Sequence, residues 1–440
     1  HKSTWCERLV TFILSGIGIG EQNIAELCKM IDGCTSLSHL NISNNSINFG
    51  CFKEFGPLLA QCTTLTHLDL GKNLMNAHGA ALFCEFMEAL PALQRLDLAQ
   101  NALGNRGVTD LASTLPRCSS LRSLDLSCNN IQPNGAAILF SALKNCKLEQ
   151  LDLSVNNIDS SCIPGLSELL NVTSSLTILN LRRTHLRAKG LESLNTTLQT
   201  CLTLQVLDLC DNHISAEGAR HLSPVLGKCP NLRFLDLSEN WIGVEGAEAL
   251  AGVFAGCSAL ERLDLAHSCI ETVSALAEGL SKCTRLKHLS VVGNHLEGES
   301  IGALVDSLAV CPELTSLCMN GNRVASEGAK LVGVRLPQFP KLTQLDMCDC
   351  ELGASGMKNF AEGIASHNAL SSLKLSDNFI LDAGARWLAA KLSTCKQLSH
   401  INVSGNRIGV EGAWLLARTL GRCRALTSVH IQNNCLGDSG

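Results

Sequence analysis

The sequence predicts an α/β solenoid in which parallel strands line one face and helices back the other. Three observations carry this. A leucine returns at a nearly fixed interval along all 440 residues; each return opens a short stretch alternating apolar and polar; and apolar residues three or four apart follow. Alternation marks a strand and the wider spacing a helix. Repetition of the pair along the whole chain marks stacked repeats.

The unit is clearest between Leu232 and Cys257. Leu235 and Leu237 set the alternation of the strand, and Ala247, Leu250, Phe254 and Cys257 fall on one helix face. Asn240 stands between them, where the chain turns off the strand. The first leucine of successive units is Leu9, Leu37, Leu65, Leu93, Leu121, Leu148, Leu176, Leu204, Leu232, Leu260, Leu286, Leu314, Leu342, Leu370, Leu398 and Leu426. Every interval is 28 residues except 27 after Leu121 and 26 after Leu260.

The motif LxxLxLxxNxL is followed by a Gly-Ala pair in many units, as at Gly218-Ala219, Gly246-Ala247, Gly328-Ala329, Gly384-Ala385 and Gly412-Ala413. It resembles the leucine-rich repeat of the ribonuclease-inhibitor-like family, closest in style to the NLR immune receptors and intracellular scaffolds. The resemblance spans essentially the whole chain. It implies a right-handed horseshoe with the parallel sheet on the concave face and the helices on the convex face. Strands stack at ~4.8 Å and helices at ~10 Å, so each step should bend by roughly 20–30°. The Gly-Ala pair is expected to start each helix.

Taken in order, the first unit is degenerate: Ile17 stands where Asn belongs, and Cys6 already occupies a late-helix position. Units 2 to 5 are regular, with Asn45, Asn73, Asn101 and Asn129 eight residues after the first leucine. Stacked there, they can satisfy backbone amides of neighbouring turns. In unit 6, Cys162-Ile163-Pro164 replaces the glycine region. Unit 7 has Thr184 for Asn and carries Arg182, Arg183, His185 and Arg187. Unit 10 has Ser268 for Asn and is expected to have a shortened strand-to-helix loop at Glu271-Thr272-Val273-Ser274. Cys350 takes the Asn position in unit 13, and Gly440 is the helix-region glycine of unit 16. No linker or charge block interrupts the register. Residues 1–440 are therefore expected to form a single domain of about 16 repeats, incomplete at both ends.

Composition excludes several classes. The net charge of −5 is too mild for nucleic-acid binding, and no apolar run is long enough to span a membrane. Eleven of the 23 cysteines, Cys6, Cys34, Cys62, Cys118, Cys201, Cys229, Cys257, Cys283, Cys311, Cys395 and Cys423, lie three residues before a first leucine. One buried position in adjacent repeats is out of disulfide reach, so free thiols and a cytoplasmic location are expected. Asn-x-Ser/Thr triplets at Asn41, Asn44, Asn171, Asn195 and Asn402 read as chance. Nucleotide, metallohydrolase and serine-hydrolase motifs are absent. No enzyme activity, cofactor or metal is expected.

The outward columns hold the candidate site. Four residues after the first leucine stands an acidic ladder that includes Asp69, Asp97, Asp125, Asp152, Asp208, Asp236 and Asp264. It either steers a basic partner or is simply repeat consensus. Two residues after the first leucine, Ile178, Val206 and Phe234 follow at successive intervals of 28 and predict an exposed apolar stripe. Arg182, Arg183, Asp208, Asp211, Glu239, Trp241 and Arg262 border it. Apolar residues rimmed by Trp and Arg have the anatomy of a protein-binding hot spot. The loss of Asn at Thr184 and Ser268 in the same region suggests a surface shaped for a partner. His39 and His67 are adjacent but lack a third metal ligand. Trp387 and Trp414 lie in helices, as packing residues or as a docking point for a flanking domain.

These features point to an intracellular protein-interaction module, a ligand sensor or scaffold, with its partner on the concave face and flanking domains in the full-length chain. A second reading is GTPase activation of the Ran GTPase-activator type, with Arg106 in the Asn105-Arg106-Gly107 loop as the one tempting arginine. The acidic tail of that family is absent and the repeats are too many. A third is a structural part of a cytoskeletal or ciliary assembly.

Overall fold

Three residues of each repeat are enough to make a strand, because only the middle one need be buried. In β9, Phe234–Asp236, the central Leu235 is fully buried and its neighbours look outward. The computed structural model describes residues 8–198, 202–254 and 256–437. Contacts divide the chain into two compact units, His1–Asn212 and His213–Gly440, both made of the same repeat.

In the first unit the strands are β1 (Thr11–Ile13), β2 (His39–Asn41), β3 (His67–Asp69), β4 (Arg95–Asp97), β5 (Ser123–Asp125), β6 (Gln150–Asp152), β7 (Ile178–Asn180) and β8 (Val206–Asp208). The helices between them are α1 (Gly20–Ile31), α2 (Phe49–Leu59), α3 (Asn76–Met87), α4 (Gly104–Thr114), α5 (Pro133–Leu143), α6 (Ile163–Val172) and α7 (Arg187–Leu198). The second unit opens with α8 (Ser215–Leu226) before β9. There follow α9 (Gly243–Phe254), β10 (Arg262–Asp264), α10 (Ser274–Leu280), β11 (His288–Ser290), α11 (Gly298–Leu308), β12 (Ser316–Cys318) and α12 (Ala325–Arg335). It ends with β13 (Gln344–Asp346), α13 (Gly353–Ala365), β14 (Ser372–Lys374), α14 (Leu381–Leu392), β15 (His400–Asn402), α15 (Val410–Leu420) and β16 (Ser428–His430). Within each unit the strands pair in parallel and in chain order. Equivalent residues face one another, as His39, His67 and Arg95 do across β2, β3 and β4.

The turn after each strand is held by its asparagine. Asn129 is fully buried. Its Nδ2 donates to the carbonyls of Leu98 (2.8 Å), Leu126 (3.1 Å) and Ser127 (3.1 Å). Its Oδ1 accepts from the amides of Asn101 (3.1 Å) and Leu103 (3.3 Å). One side chain thus satisfies backbone groups of its own turn and of the turn before it. Residues on either side of the column take positive φ, +57° at Glu239 and +51° at Trp241. Such backbone is uncommon for residues other than glycine and persists where bonds over-determine it. The replacements keep the role. Thr184 Oγ1 donates to Leu181 O at 2.6 Å, Ser268 Oγ to Leu237 O at 3.1 Å, and Cys350 Sγ to Met319 O at 3.3 Å.

The acidic ladder is a second fixed column. Asp69, Asp97, Asp125, Asp152, Asp208, Asp236 and Asp264 each accept, through Oδ1, the amide two residues on, at 2.8–3.0 Å. Asn41, Asn180 and Asn402 make the same bond at 3.0 Å. A neutral amide serves as well, so the column is kept for its oxygen. The charge has a cost: burial, with Asp125 and Asp69 adding repulsion, pushes the Asp97 carboxyl up to about 6.

Two expectations about the helices change. Gly246 does not start its helix; α9 begins three residues earlier, at Gly243. A Cβ on Gly246 would lie 3.1 Å from Ala216 Cα and 3.2 Å from Ala219 Cβ on α8, and 2.6 Å from Ile242 Cγ2. The small pair is needed where one helix crosses the next. In unit 10 the loop is not shortened either. α10 is seven residues long against twelve in α9, and the stretch before it, 265–273, is longer than 237–242 in the preceding repeat.

The column cysteines close each layer as expected. Cys257 Sγ donates to Leu226 O at 3.3 Å, and Cys311 Sγ to Cys283 O at 3.3 Å. Cys62, Cys118, Cys257, Cys283, Cys311, Cys395 and Cys423 are free thiols. Burial pushes Cys257 and Cys283 up to about 12. Cys6, Cys201 and Gly440 lie outside the described residues.

Three outcomes follow from these columns. Asn129→Ala should destabilise the first unit by about 2–4 kcal/mol in urea unfolding, because several buried backbone groups lose partners; Asn129→Thr should cost about half that. Asp97→Asn keeps the amide bond and removes a carboxyl whose folded pKa is raised. A raised carboxylate pKa penalises the fold fully above that pKa, and the penalty vanishes below the unfolded value. The variant should therefore melt about 1–3 °C higher at pH 7, with the gain gone near pH 4. Finally, iodoacetamide at pH 8 should label exposed Cys128 and Cys269 on the folded chain and reach Cys257 and Cys283 only after denaturation, since thiolate is the reactive form.

Candidate functional site

The ten candidate residues divide between the two units and are described within each. In the first, β7 and β8 set Ile178 opposite Val206, with Leu179 and Leu207 buried beside them. Both candidates are half-buried rather than fully exposed, since each is flanked along its strand and across the sheet. Arg182 is half-buried and its amide is held by Asn180 Oδ1 at 3.0 Å. Arg183 and Asp211 pair with each other, Nε to Oδ2 at 2.9 Å. They are an internal surface pair and not two rim charges free for a partner. Asp208 uses Oδ1 to hold the amide of Cys210 at 2.9 Å.

In the second unit the remaining four come from two adjacent repeats. Phe234 on β9 faces Arg262 on β10, and the guanidinium carbon sits 5.2 Å from the ring centroid. The ring is half-buried beneath an exposed cation, a favourable cation–π arrangement. Glu239 and Trp241 flank buried Asn240 on the loop edge, both exposed. Trp241 is 61% exposed and stacks on His213, ring centroids 4.9 Å apart at 27°. His213 was not among the candidates. It stands nine residues after Leu204, as Trp241 does after Leu232, so reading that column as well as the strand columns would have found it.

Thr184 and Ser268 do not shape this surface. Both are fully buried in the turn column, where each hydroxyl donates to a backbone carbonyl in place of the Asn amide. Arg106 is exposed, but it is the third residue of α4 and not part of a loop. Trp387 and Trp414 are not packing residues: they are 39% and 58% exposed, under the cations of Lys358 at 5.4 Å and Arg418 at 5.1 Å. Cys350 is buried and structural, as expected. Among the described residues, no group of three or more His, Cys, Asp or Glu is placed to hold a metal ion. No described helix is long and apolar enough to cross a membrane.

The histidine pair is better ordered than its sequence implies. His39 and His67 stack with ring centroids 4.2 Å apart and 15° between planes. Ser38 Oγ lies 2.7 Å from His39 Nδ1, and Thr66 Oγ1 lies 2.9 Å from His67 Nδ1. The pair borders a shallow cavity of about 290 Å³ in the first unit, with Thr11, Ile13, Asp69, Arg95 and Asp97 also in its wall. Burial, then the neighbouring His39 and Arg95, hold His67 below the usual imidazole range.

A family profile described as Leucine Rich repeat matches the chain over residues 61–84, 90–112, 117–139, 144–161, 200–223, 228–251, 394–417 and 422–440. No curated protein matches the sequence. Two solved structures are similar in fold. One is the functional domain of InlJ from Listeria monocytogenes, whose description includes a cysteine ladder. It is 15% identical, covers 92% of this chain and 74% of that one, and has a TM-score of 0.50. The other is an internalin, inlF, from Listeria monocytogenes, 16% identical over 98% of this chain and 83% of that one, with a TM-score of 0.41. The eight repeat matches, the parallel strands in chain order and the helix in each repeat support a leucine-rich-repeat family, and the fold is an α/β leucine-rich-repeat solenoid.

Proposed function

We propose that the chain is a non-enzymatic protein-interaction module of the ribonuclease-inhibitor-like type, and that a protein partner docks on the sheet face and adjoining loop edge of its second unit. The observation that carries this is Trp241. A large apolar ring stands 61% exposed on backbone held at φ +51°, stacked against His213. Stacking on His213 holds the indole on the loop edge, which lowers the side-chain freedom to be lost on binding. Phe234 and Arg262 supply a second anchor in the same two repeats, and Trp and Arg dominate binding energy where they become buried. Ile178 and Val206 offer an apolar pair of the same column in the first unit. A cytoplasmic setting fits the buried free thiols, and a sensor or scaffold role fits the exposed aromatic and cationic anchors.

Tagged wild-type chain and the variants Trp241→Ala and Phe234→Ala should be compared in quantitative affinity capture, followed by titration of the recovered partner. Each variant should keep its circular dichroism and bind about thirtyfold or more weakly, the ~2 kcal/mol expected of an anchor. Ser123→Ala, in the Phe234 column of the first unit, should bind as wild type. Normal binding by both anchor variants sinks the proposal.

A further inference from the structure

The sheet face of the first unit carries a row of nitrogen groups that the proposed partner site does not use. His39, His67 and Arg95 stand directly opposite one another on β2, β3 and β4. Ser38 Oγ lies 3.1 Å from Val10 O and Thr66 Oγ1 lies 2.9 Å from Ser38 O, so each hydroxyl has a carbonyl to donate to. Donating there, it accepts from the Nδ1–H of the ring beside it. The two Nε2 atoms are left as the protonatable positions, on stacked rings beside the Arg95 guanidinium.

We propose that this row binds an acidic peptide segment, and that binding is coupled to proton uptake at the Nε2 atoms of His39 and His67. Three positions spaced at ~4.8 Å span ~10 Å, about the length of three extended residues. Only when both imidazoles are protonated does the row become three donors in line. A carboxylate above it then forms charge-assisted hydrogen bonds. Without such a ligand, two stacked imidazolium ions beside a guanidinium repel one another, so ligand and protons favour each other's binding.

Carboxylates flank the row. β1 contributes Thr11 and Ile13, which do not titrate. β3 and β4 contribute Asp69 and Asp97, and β5 contributes Asp125. Each of these three carboxylates has Oδ1 committed to the backbone, to Gly71, Ala99 and Ser127. Asp97, pushed up to about 6, loses its charge in mildly acidic solution, which lowers the repulsion that an acidic ligand meets there.

The test is calorimetric titration of the full chain with acetyl-hexaglutamate at pH 5.5 and pH 7.5, repeated at pH 5.5 in buffers of different ionisation heat. Binding should be at least tenfold tighter at pH 5.5, with uptake of one to two protons. His39→Gln with His67→Gln should abolish the pH dependence. Arg95→Gln should weaken binding at both pH values, and His400→Gln, the same column in the second unit, should leave it unchanged. Equal affinity at the two pH values, no proton uptake, or wild-type behaviour of the folded double variant overturns the proposal. Inorganic phosphate binding as tightly as the peptide overturns the peptide assignment.

Discussion

The fold rests on satisfying buried backbone at one place in each repeat. A three-residue strand can bond its neighbours, but the turn that follows leaves amides and carbonyls pointing into the core. Water is excluded there, and an unpaired group costs about 1–3 kcal/mol. The asparagine column answers this with a side chain that donates and accepts at once. Because each Asn reaches back to the preceding turn, repeats are locked in register as well as stacked. Backbone at positive φ on either side follows from the same bonds.

This constraint sorts the outward positions into fixed and free. The acidic ladder looks like a binding surface in the sequence, yet each carboxylate is tied to the amide two residues on. Asn takes the same place where it occurs. The repeat asks that column for an oxygen, and a half-buried row of like charges is the consequence. Positions two and nine residues after the first leucine carry no such duty. There the chain places His39, His67, Arg95, Phe234, His213 and Trp241, and there side chains stack on one another across repeats.

Sequence periodicity was sufficient for the strands, their order, the Asn column and the buried thiols, because each of these repeats. It misled where one residue type serves two purposes. Gly246 reads as a helix start, but a glycine is equally demanded where an added Cβ would stand 3.1 Å from the Cα of Ala216 on the adjacent helix. The short interval after Leu260 reads as a short loop, but the stretch after β10 is longer than its neighbour's and the helix is the part that shortens. Thr184 and Ser268 read as irregularities beside a patch, yet a hydroxyl can replace one amide bond in a fully buried turn. The Arg183–Asp211 pair shows the remaining limit: candidate rim charges in one loop-edge cluster can satisfy each other before any partner does.

The free columns also differ in what they can recognise. Near β2 to β4 the +2 column is imidazole and guanidinium beside a carboxylate row, a polar and ionisable surface. Around β9 and β10 it is an aromatic ring under a guanidinium, and the loop edge beside it presents indole. That surface depends on apolar area and on a cation that does not titrate. One scaffold, with its backbone requirements met by a buried column, thus leaves separate stretches of sheet face free to carry different recognition chemistry.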